Sequence, residues 1–483
     1  MLRTLFTILF ALQALCLSAQ SLPIDFTKNP DKPLAIENPA TGKTLFFFYP
    51  ERLVSEAFLP KGNPWKAFEV DSKTLQVLRT GANASLRISE SGGLSLRILC
   101  SLSKGPDYFF AAENDDKCRI YRIAGEDLSL SAVDSFRADK GMRIISGVAE
   151  GDNGYILCSR KSKKEGNELV VYKIGEGGRL QMHVLPESKK FSEVVDDIFK
   201  KSFKPHSVTY GLEEEPEIAA RKIKLFAGPD KLWVTFDNSG IGTVYSDPMA
   251  ILRVLTLDLT TDSLYVRSYY YTDSLERNAS RERRSSYIFD NRLFQLYMNE
   301  EQLIVRMRDL DTKEPLFTKS VLRDDSISGF ANSPILVPGR GMLGIEKEYA
   351  SAKKFMRRFA KFDPFIQVRR DGERYLLCLG GHEEVRSPAA PGSFNNATGA
   401  WNFGTVGYSY EHAFSFYFAI DEKPALAQST AFYKKPLIAA YADMLENLKK
   451  PRDPALYSIG GLFYLGYYDK DERQYRFVQI KNQ

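Results

Sequence analysis

Residues that commonly carry chemistry are scarce in this 483-residue sequence. It contains four histidines and five cysteines, and no two histidines are spaced like zinc ligands. There is no phosphate-binding loop, no Gly-x-Ser-x-Gly nucleophile turn and no glycine-rich dinucleotide fingerprint. The sequence therefore predicts no metal and no cofactor, and it offers no evident set of catalytic residues.

An excess of one charge is also lacking. Lysine and arginine number 66 and the acids 61, so the formal charge is only +5 and does not indicate a type of partner. Hydrophobic residues make up 43% of the chain, which is enough for a full core. The 32 phenylalanines and 25 tyrosines favour strands over helices.

Long apolar runs are missing except near the start, at residues 5–17, between Arg3 and Ala19. That run is too short for a transmembrane helix, which needs about 20 apolar residues, and is typical of a secretory signal peptide. We expect residues 1–19 to be a signal peptide cleaved before Gln20. Residues 20–483 then form a single domain, periplasmic or extracellular in a Gram-negative bacterium. Cys16 leaves a lipid anchor open, although the preceding Leu15 fits such a signal poorly.

Four cysteines follow the predicted leader: Cys100, Cys118, Cys158 and Cys378. An even number of cysteines in an exported protein permits disulfides. However, two of them end matching strand-like segments, "GYILC" and "RYLLC", that lie far apart in the chain. We therefore expect buried free thiols that pack as small hydrophobic groups.

A pattern of short apolar strands recurs seven times. A leading strand such as "MRIISGVAE" is followed by a second strand, a variable connection, a third strand, a tight turn and a fourth strand. Four-stranded antiparallel units repeated around a circle resemble a β-propeller. The sequence thus predicts an all-β, seven-bladed propeller with strands A to D in each blade. The Trp-Asp pairs of WD repeats and the paired glycines of kelch repeats are absent, so the resemblance is to the fold rather than to one family.

The two ends of the chain complement each other. The seventh unit stops at "QYRFVQIKNQ", in its C strand, and lacks a D strand. We expect residues 22–26 to supply that outermost strand and close the ring. Pro23 is tolerable there because an outer edge leaves one row of amides unpaired.

The connections differ in length according to their position. The C–D turns are short, whereas the B–C and D–A connections, which emerge together on the opposite face, vary widely. Three insertions have the apolar spacing of short helices, at residues 189–204, 343–362 and 435–450. In repeat proteins a face that collects insertions is often the binding face.

The longest B–C connection belongs to blade six, and it is rich in glycine, asparagine and aromatic residues. Aromatic rings there could stack on sugars: Trp401, Phe403, Tyr408 and Tyr410. The plainer interpretation is a loop that folds over the propeller mouth using its own aromatics. His382, Glu383 and Asp237 are the best candidates for polar ligand contacts, or for acid–base catalysis if they converge.

Two basic segments flank blade five, in consecutive D–A connections that should emerge side by side. Their cations form a candidate anion patch: Arg281, Arg283, Arg284, Lys354, Arg357 and Arg358. The alternative is a solvated surface without function. The sequence as a whole favours an exported, non-catalytic propeller that binds a glycan, an anionic polysaccharide, a peptide or a partner protein at its insertion-rich face. A glycan hydrolase or lyase is the alternative, and nucleic acid is not an expected partner.

Overall fold

The computed structural model describes residues 20–23, 32–48, 65–83, 97–114, 116–162, 166–186, 198, 200, 203–237, 251–271, 282–328, 330–338, 346–387, 393–395, 400–402, 408–421, 436–448 and 451–480. Their strands build seven antiparallel sheets, one per blade. The A strands of blades 1 to 4 contact one another in turn, and so do those of blades 5 and 6, as expected for the strands nearest the axis of a ring. The predicted seven-bladed β-propeller is confirmed.

The strands follow chain order within each blade, from A at the axis outwards. Blade 1 consists of Leu34–Asn38, Lys43–Phe48, Trp65–Asp71 and Val77–Asn83. Blade 2 consists of Arg97–Lys104, Asp107–Asn114, Lys117–Ile123 and Leu130–Arg137. Blade 3 consists of Met142–Glu150, Asn153–Ser162, Gly166–Ile174 and Leu180–Pro186. Blade 4 consists of Ile223–Ala227, Lys231–Phe236, Ile251–Asp258 and Ser263–Tyr270.

The remaining blades complete the ring. Blade 5 is Arg283–Phe289, Arg292–Met298, Gln302–Asp309 and Pro315–Leu322. Blade 6 has three described strands, Asp363–Asp371, Arg374–Ser387 and Tyr408–Asp421, and its predicted D strand lies outside the described residues. Blade 7 is Arg452–Ile459, Leu462–Asp469 and Gln474–Gln479. Short strands at Leu336–Pro338 and Glu346–Glu348 pair with each other before blade 6.

The fourth strand of blade 7 comes from the other end of the chain. Gln20–Pro23 pairs antiparallel with the C strand of blade 7, from Phe477 to Gln474. The predicted closure is confirmed; the described strand begins at Gln20, two residues earlier than predicted, and residues 24–26 of the predicted strand lie outside the described residues. Pro23 sits at the end of this outermost strand, opposite Gln474.

The hydrophobic core lies between the blades because consecutive residues of a strand point to opposite faces of a sheet. In blade 1, the ring of Phe46 packs 4.5 Å from Phe477 of blade 7. The next residue, Phe47, packs 5.0 Å from Phe110 of blade 2. The aromatic-rich strands seen in the sequence thus fill two interfaces at once.

In blades 1 and 5 the C–D turn is fixed by an aspartate that ends the C strand. Asp71 accepts hydrogen bonds from the backbone N–H groups of Lys73 and Thr74, and Asp309 does the same for the two equivalent residues of blade 5. A carboxylate that caps its own turn in this way stabilises a tight reversal. These turns can therefore stay short, as the sequence predicts.

Three α-helices are present in the described residues: Pro216–Ala219 (α1), Ala352–Phe359 (α2) and Leu437–Asn447 (α3). Two of the predicted insertion helices are thereby confirmed as α2 and α3, while most of the segment at 189–204 lies outside the described residues. A 3-10 turn, Glu176–Gly178, joins the C and D strands of blade 3. In this part of the chain, no helix has the length and apolar character needed to cross a bilayer.

Candidate functional site

The two faces of the ring differ in what they carry. The A–B and C–D turns emerge on one side, which we call the lower face. The B–C and D–A connections emerge on the other, which we call the upper face. Both α2 and α3 belong to connections of the upper face.

A β-ribbon stands on the upper face of blade 6. Its B and C strands are 14 residues long and stay paired from Arg374 and Asp421 to Ser387 and Tyr408. The A strand pairs with the B strand only as far as His382, so residues 383–387 and 408–412 extend beyond the blade as two strands. We call this pair of segments the ribbon. The connection interpreted above as a loop is thus largely a β-hairpin.

The predicted aromatic residues belong to this hairpin. Trp401 lies opposite Phe394 in a short two-stranded continuation, Ser393–Asn395 with Ala400–Asn402. Tyr408 pairs with Ser387, and Tyr410 pairs with Val385. Phe403 lies outside the described residues.

Charged residues at the root of the ribbon contact charged side chains of the protein itself. Oε2 of Glu383 lies 3.0 Å from Nη1 of Arg358, on helix α2. The Arg358 guanidinium also lies 4.4 Å from the ring centre of Phe362. Nε2 of His382 lies 3.4 Å from Oε2 of Glu411. His382 and Glu383 therefore have separate protein partners rather than a common reacting centre.

Asp237 lies in a different place, in a buried polar network between blades 4 and 5. Its carboxylate accepts a hydrogen bond from the Tyr271 hydroxyl at 2.6 Å and one from the backbone N–H of Ser286 at 3.0 Å. Nζ of Lys224 lies 3.8 Å away and donates to Oγ of Ser285 at 3.0 Å. Burial lowers the pKa of Lys224 to about 8, although Asp237 opposes the shift.

The network of Asp237 therefore joins two blades, while Glu383 is bound to α2 beside blade 6. The two acids do not share a described partner. Within the described ranges, no three His, Cys, Asp or Glu side chains converge as metal ligands would. What these polar groups do in the structure is hold blades and connections together.

The predicted anion patch is divided between buried and exposed positions. Arg284 is buried and pairs with Glu282, and Arg358 is buried against Glu383. Lys354 and Arg357 are exposed on α2. Arg283 is half-buried at the start of blade 5, and Arg281 lies outside the described residues.

The axis of the ring is occupied by part of the connection between blades 3 and 4. His206 and Ser207 add a short parallel strand to the inner edge of the blade-4 A strand, and the Tyr210 hydroxyl donates to the carbonyl of Ala227 at 3.0 Å. After a turn at Gly211, where φ is +76°, the chain reaches the A strand of blade 6. We call residues 206–220 the axial plug.

Polar contacts fix the returning half of the plug. The backbone N–H of Glu214 donates to Oε1 of Gln367 at 2.6 Å, and Nε2 of Gln367 donates to the Glu214 carbonyl at 3.0 Å. Glu213 accepts from the Tyr417 hydroxyl at 2.5 Å. The plug spans the axis from blade 4 to blade 6. It was not predicted, because "HSVTYGLEEEPEIAA" has neither the alternation of a strand nor a long helical stripe.

Glu150 ends the A strand of blade 3, at the lower side of the ring, and its carboxyl group has a raised pKa. Burial, and secondly the charge of Asp290, raise the pKa of Glu150 to about 7. Oε2 of Glu150 is buried and accepts no hydrogen bond from the described residues. The charge of Glu150 in turn helps to raise the pKa of Tyr210 in the plug, after burial itself. The lower mouth thus favours neutral forms of both groups.

Comparison with known proteins identifies no family. No protein-family model matches the chain, and no curated protein matches it. Among solved structures, the Dos1 propeller aligns over 80% of this chain and 93% of its own, at 12% identity and a TM-score of 0.31. The WD40 domain of SCAP from fission yeast aligns over 96% and 98%, at 10% identity and a TM-score of 0.29. A Lactobacillus plantarum protein aligns over 80% and 89%, at 11% identity and 0.29. Such scores carry no argument about function.

Proposed function

We propose that this protein is an exported, non-catalytic binding module that holds a glycan at its upper face, on the ribbon of blade 6. The observation that carries the proposal is the ribbon itself, because its 14-residue strands extend past the A strand of their own blade. A rigid scaffold that raises a polar and aromatic hairpin above its surface is a common way to present a binding site.

The composition of the hairpin supports a sugar ligand. Between its two strands the sequence carries Trp401 and Phe403 among asparagines, threonines and glycines. Aromatic faces stack on the apolar faces of sugar rings, and amides and hydroxyls bind their hydroxyl groups. A peptide or a partner protein would use the same surface, and these are outcomes that the test below separates.

The polar groups near the axis support binding without catalysis. General acid–base chemistry needs an ionisable group within hydrogen-bond reach of the substrate. Glu383 is paired with Arg358, Asp237 is buried between blades, and the plug crosses the axis between blades 4 and 6. The upper face outside the axis carries the ribbon and is the surface that we propose for a ligand.

Affinity electrophoresis tests the proposal. The parent protein runs in gels that contain glucan, xylan, mannan or polygalacturonate, beside a variant in which Asn-Gly replaces residues 388–407. Ser387 and Tyr408 are paired, so a two-residue turn can join them. A matched control replaces residues 51–63 of the blade-1 B–C connection with Asn-Gly.

We expect at least one glycan to retard the parent and the control, but not the ribbon variant, without release of reducing ends. Equal retardation of all three proteins overturns the ribbon as the site. If no glycan retards the parent, the glycan proposal fails. Capture of one protein from an envelope extract by the parent, but not by the ribbon variant, would then support a partner protein as the ligand.

Export has its own test. Mass spectrometry of the exported protein should place its N-terminus near Gln20.

A further inference from the structure

We propose that the interface between blades 4 and 5 holds a small monovalent anion such as chloride, bound by Arg284, Gln295 and Thr235. This site is separate from the ribbon and from the glycan binding proposed there. Nη1 of Arg284, Nε2 of Gln295 and Oγ1 of Thr235 are buried and have no hydrogen-bond partner among the described residues. Thr235 is 0% exposed, Gln295 1% and Arg284 9%.

Strand pairing places two of these side chains on one face of blade 5. Ser286 lies opposite Gln295, and Arg284 lies two residues away on the strand of Ser286, so all three side chains point to the same face of the sheet. That face adjoins blade 4. The ring of Tyr297, which pairs with Arg284, lies 6.2 Å from the ring of Tyr271, just after the D strand of blade 4.

Thr235 approaches this face from blade 4. It pairs with Lys224 on the neighbouring strand, and paired residues of a sheet share a face. Nζ of Lys224 donates to the carbonyl of Ser286 at 2.9 Å, so this face of blade 4 is directed at Ser286 and at Gln295 beside it. Thr235 and Gln295 thus face one another from the B strands of adjacent blades.

The side chains between these two B strands are smaller than those between blades 1 and 2. There, the B strands meet through the rings of Phe47 and Phe110, whose centres lie 5.0 Å apart. In blades 4 and 5, Thr235 and Gln295 replace two such rings. Packed sheets lie about 10 Å apart, and protein interiors are filled to high density. A small ligand therefore fits between Thr235 and Gln295.

The unpartnered groups require a ligand that accepts hydrogen bonds. Oε1 of Gln295 already accepts from Nε of Arg308 at 3.1 Å, and the Nε2 that remains can only donate. Nη1 of an arginine is also only a donor, whereas the hydroxyl of Thr235 can donate or accept. An acceptor between them satisfies all three groups at once.

Buried charge makes a negative acceptor favourable. On the described strands, the cations buried at this interface are Lys224, Arg284 and Arg306, and the buried acid is Asp237. Glu282 pairs with Arg284 at the edge, where its side chain is 22% exposed. With both acids counted, three cations face two acids. A monovalent anion compensates the remaining charge, which is costly to bury alone.

A matched pair of threonine variants tests the inference. Thr235→Val removes the hydroxyl of the site with little change in shape. Thr44→Val is the control, since Thr44 is also 0% exposed and lies in the B strand of blade 1, but its Oγ1 has a protein partner, Oγ of Ser72 at 2.9 Å. Thermal melts of the parent and both variants are recorded in sodium chloride and in sodium gluconate at equal ionic strength.

We expect chloride to raise the melting temperature of the parent and of Thr44→Val by about 2–4 °C relative to gluconate, because a ligand that binds only the folded state stabilises it. In Thr235→Val, the chloride concentration that gives half of this rise should increase about tenfold or more, since a hydrogen bond to a charged group is lost. An equal chloride response in all three proteins, or none in the parent, overturns the inference.

Crystals of the parent grown in sodium bromide locate the anion directly, because anomalous scattering distinguishes bromide from water. We expect a bromide peak in contact with Nη1 of Arg284 and Nε2 of Gln295. A water molecule at this position, or bromide bound only elsewhere, overturns the inference. Either result leaves the proposed glycan binding at the ribbon unaffected.

Discussion

Gln367 and Glu214 are joined by two hydrogen bonds inside the ring: the side-chain amide of Gln367 accepts from the backbone N–H of Glu214 and donates to its carbonyl. Gln367 belongs to the A strand of blade 6, whereas Glu214 belongs to a connection that leaves blade 3 and enters blade 4. The Gln367 side chain thus fixes the axial plug to blade 6, together with the hydrogen bond from Tyr417 to Glu213.

Loss of this contact should destabilise the protein. Gln367→Ala leaves a largely buried N–H and carbonyl without partners, and each costs about 1–3 kcal/mol. We expect the free energy of unfolding to fall by about 2–4 kcal/mol in chemical denaturation. Gln181→Ala, on the exposed side of a D strand, should change it by less than about 0.5 kcal/mol. Equal effects of the two substitutions would show that the plug is not held by Gln367.

Closure of the ring gives a second prediction. Deleting residues 20–23 removes four paired residues from the outer edge of blade 7, and backbone hydrogen bonds contribute about 1 kcal/mol each. We expect a loss of about 2–4 kcal/mol and a greater tendency to aggregate, because a strand edge becomes open. Removal of residues 481–483 serves as the control. A deletion variant that melts at the parent's temperature would refute the pairing.

Glu150 should make stability depend on pH. Below about pH 4.5 its carboxyl group is protonated in both folded and unfolded chains. As the pH rises towards 7, the unfolded chain releases the proton more readily, since burial raises the folded-state pKa to about 7, and the folded state loses stability. Glu150→Gln should therefore stabilise the protein at pH 8 by about 1–2 kcal/mol, allowing for partial solvent screening, and have little effect at pH 4.

The pH comparison has a direct control in Glu126→Gln, since Glu126 is exposed. Thermal melts of both variants and the parent at pH 4 and pH 8 show whether the stability gained by Glu150→Gln depends on pH. A gain for Glu150→Gln that is the same at both pH values would mean that packing, not ionisation, is responsible.

The four cysteine thiols should not react with alkylating reagents in the folded protein. The predicted burial is confirmed for all four, and the structure has them as free thiols. Burial raises the pKa of Cys100 to about 12 and raises the pKa values of the other three as well. Because the thiolate is the reactive form, iodoacetamide should label none of them until denaturant is added. Rapid labelling of the native protein would contradict this.

Much of the fold follows from local sequence features. Alternating apolar strands and aspartate-capped turns, such as that of Asp71, specify the blades, and the incomplete seventh unit indicates that a strand must come from elsewhere. The sequence does not predict the ribbon, because its pairing depends on length and register, with Glu383 opposite His412, rather than on apolar alternation.

The details of the site depend on contacts between distant residues. A run of arginines predicts an exposed patch, yet Arg358 is buried because Glu383, 25 positions away, supplies a carboxylate. Likewise, the plug is held by Gln367, which is 153 positions from Glu214. Such pairs are set by tertiary structure, and no periodicity within either segment reveals them.

Hydrogen–deuterium exchange in the presence of the glycan that most retards the protein tests the upper-face account most directly. Backbone amides should gain protection in residues 383–387 and 408–412 and in α2, while the C–D turns of the lower face and the plug at residues 206–215 should exchange as in the free protein. Protection confined to the plug or to the lower face would contradict the account, because the ligand would then occupy the channel or the opposite side of the ring.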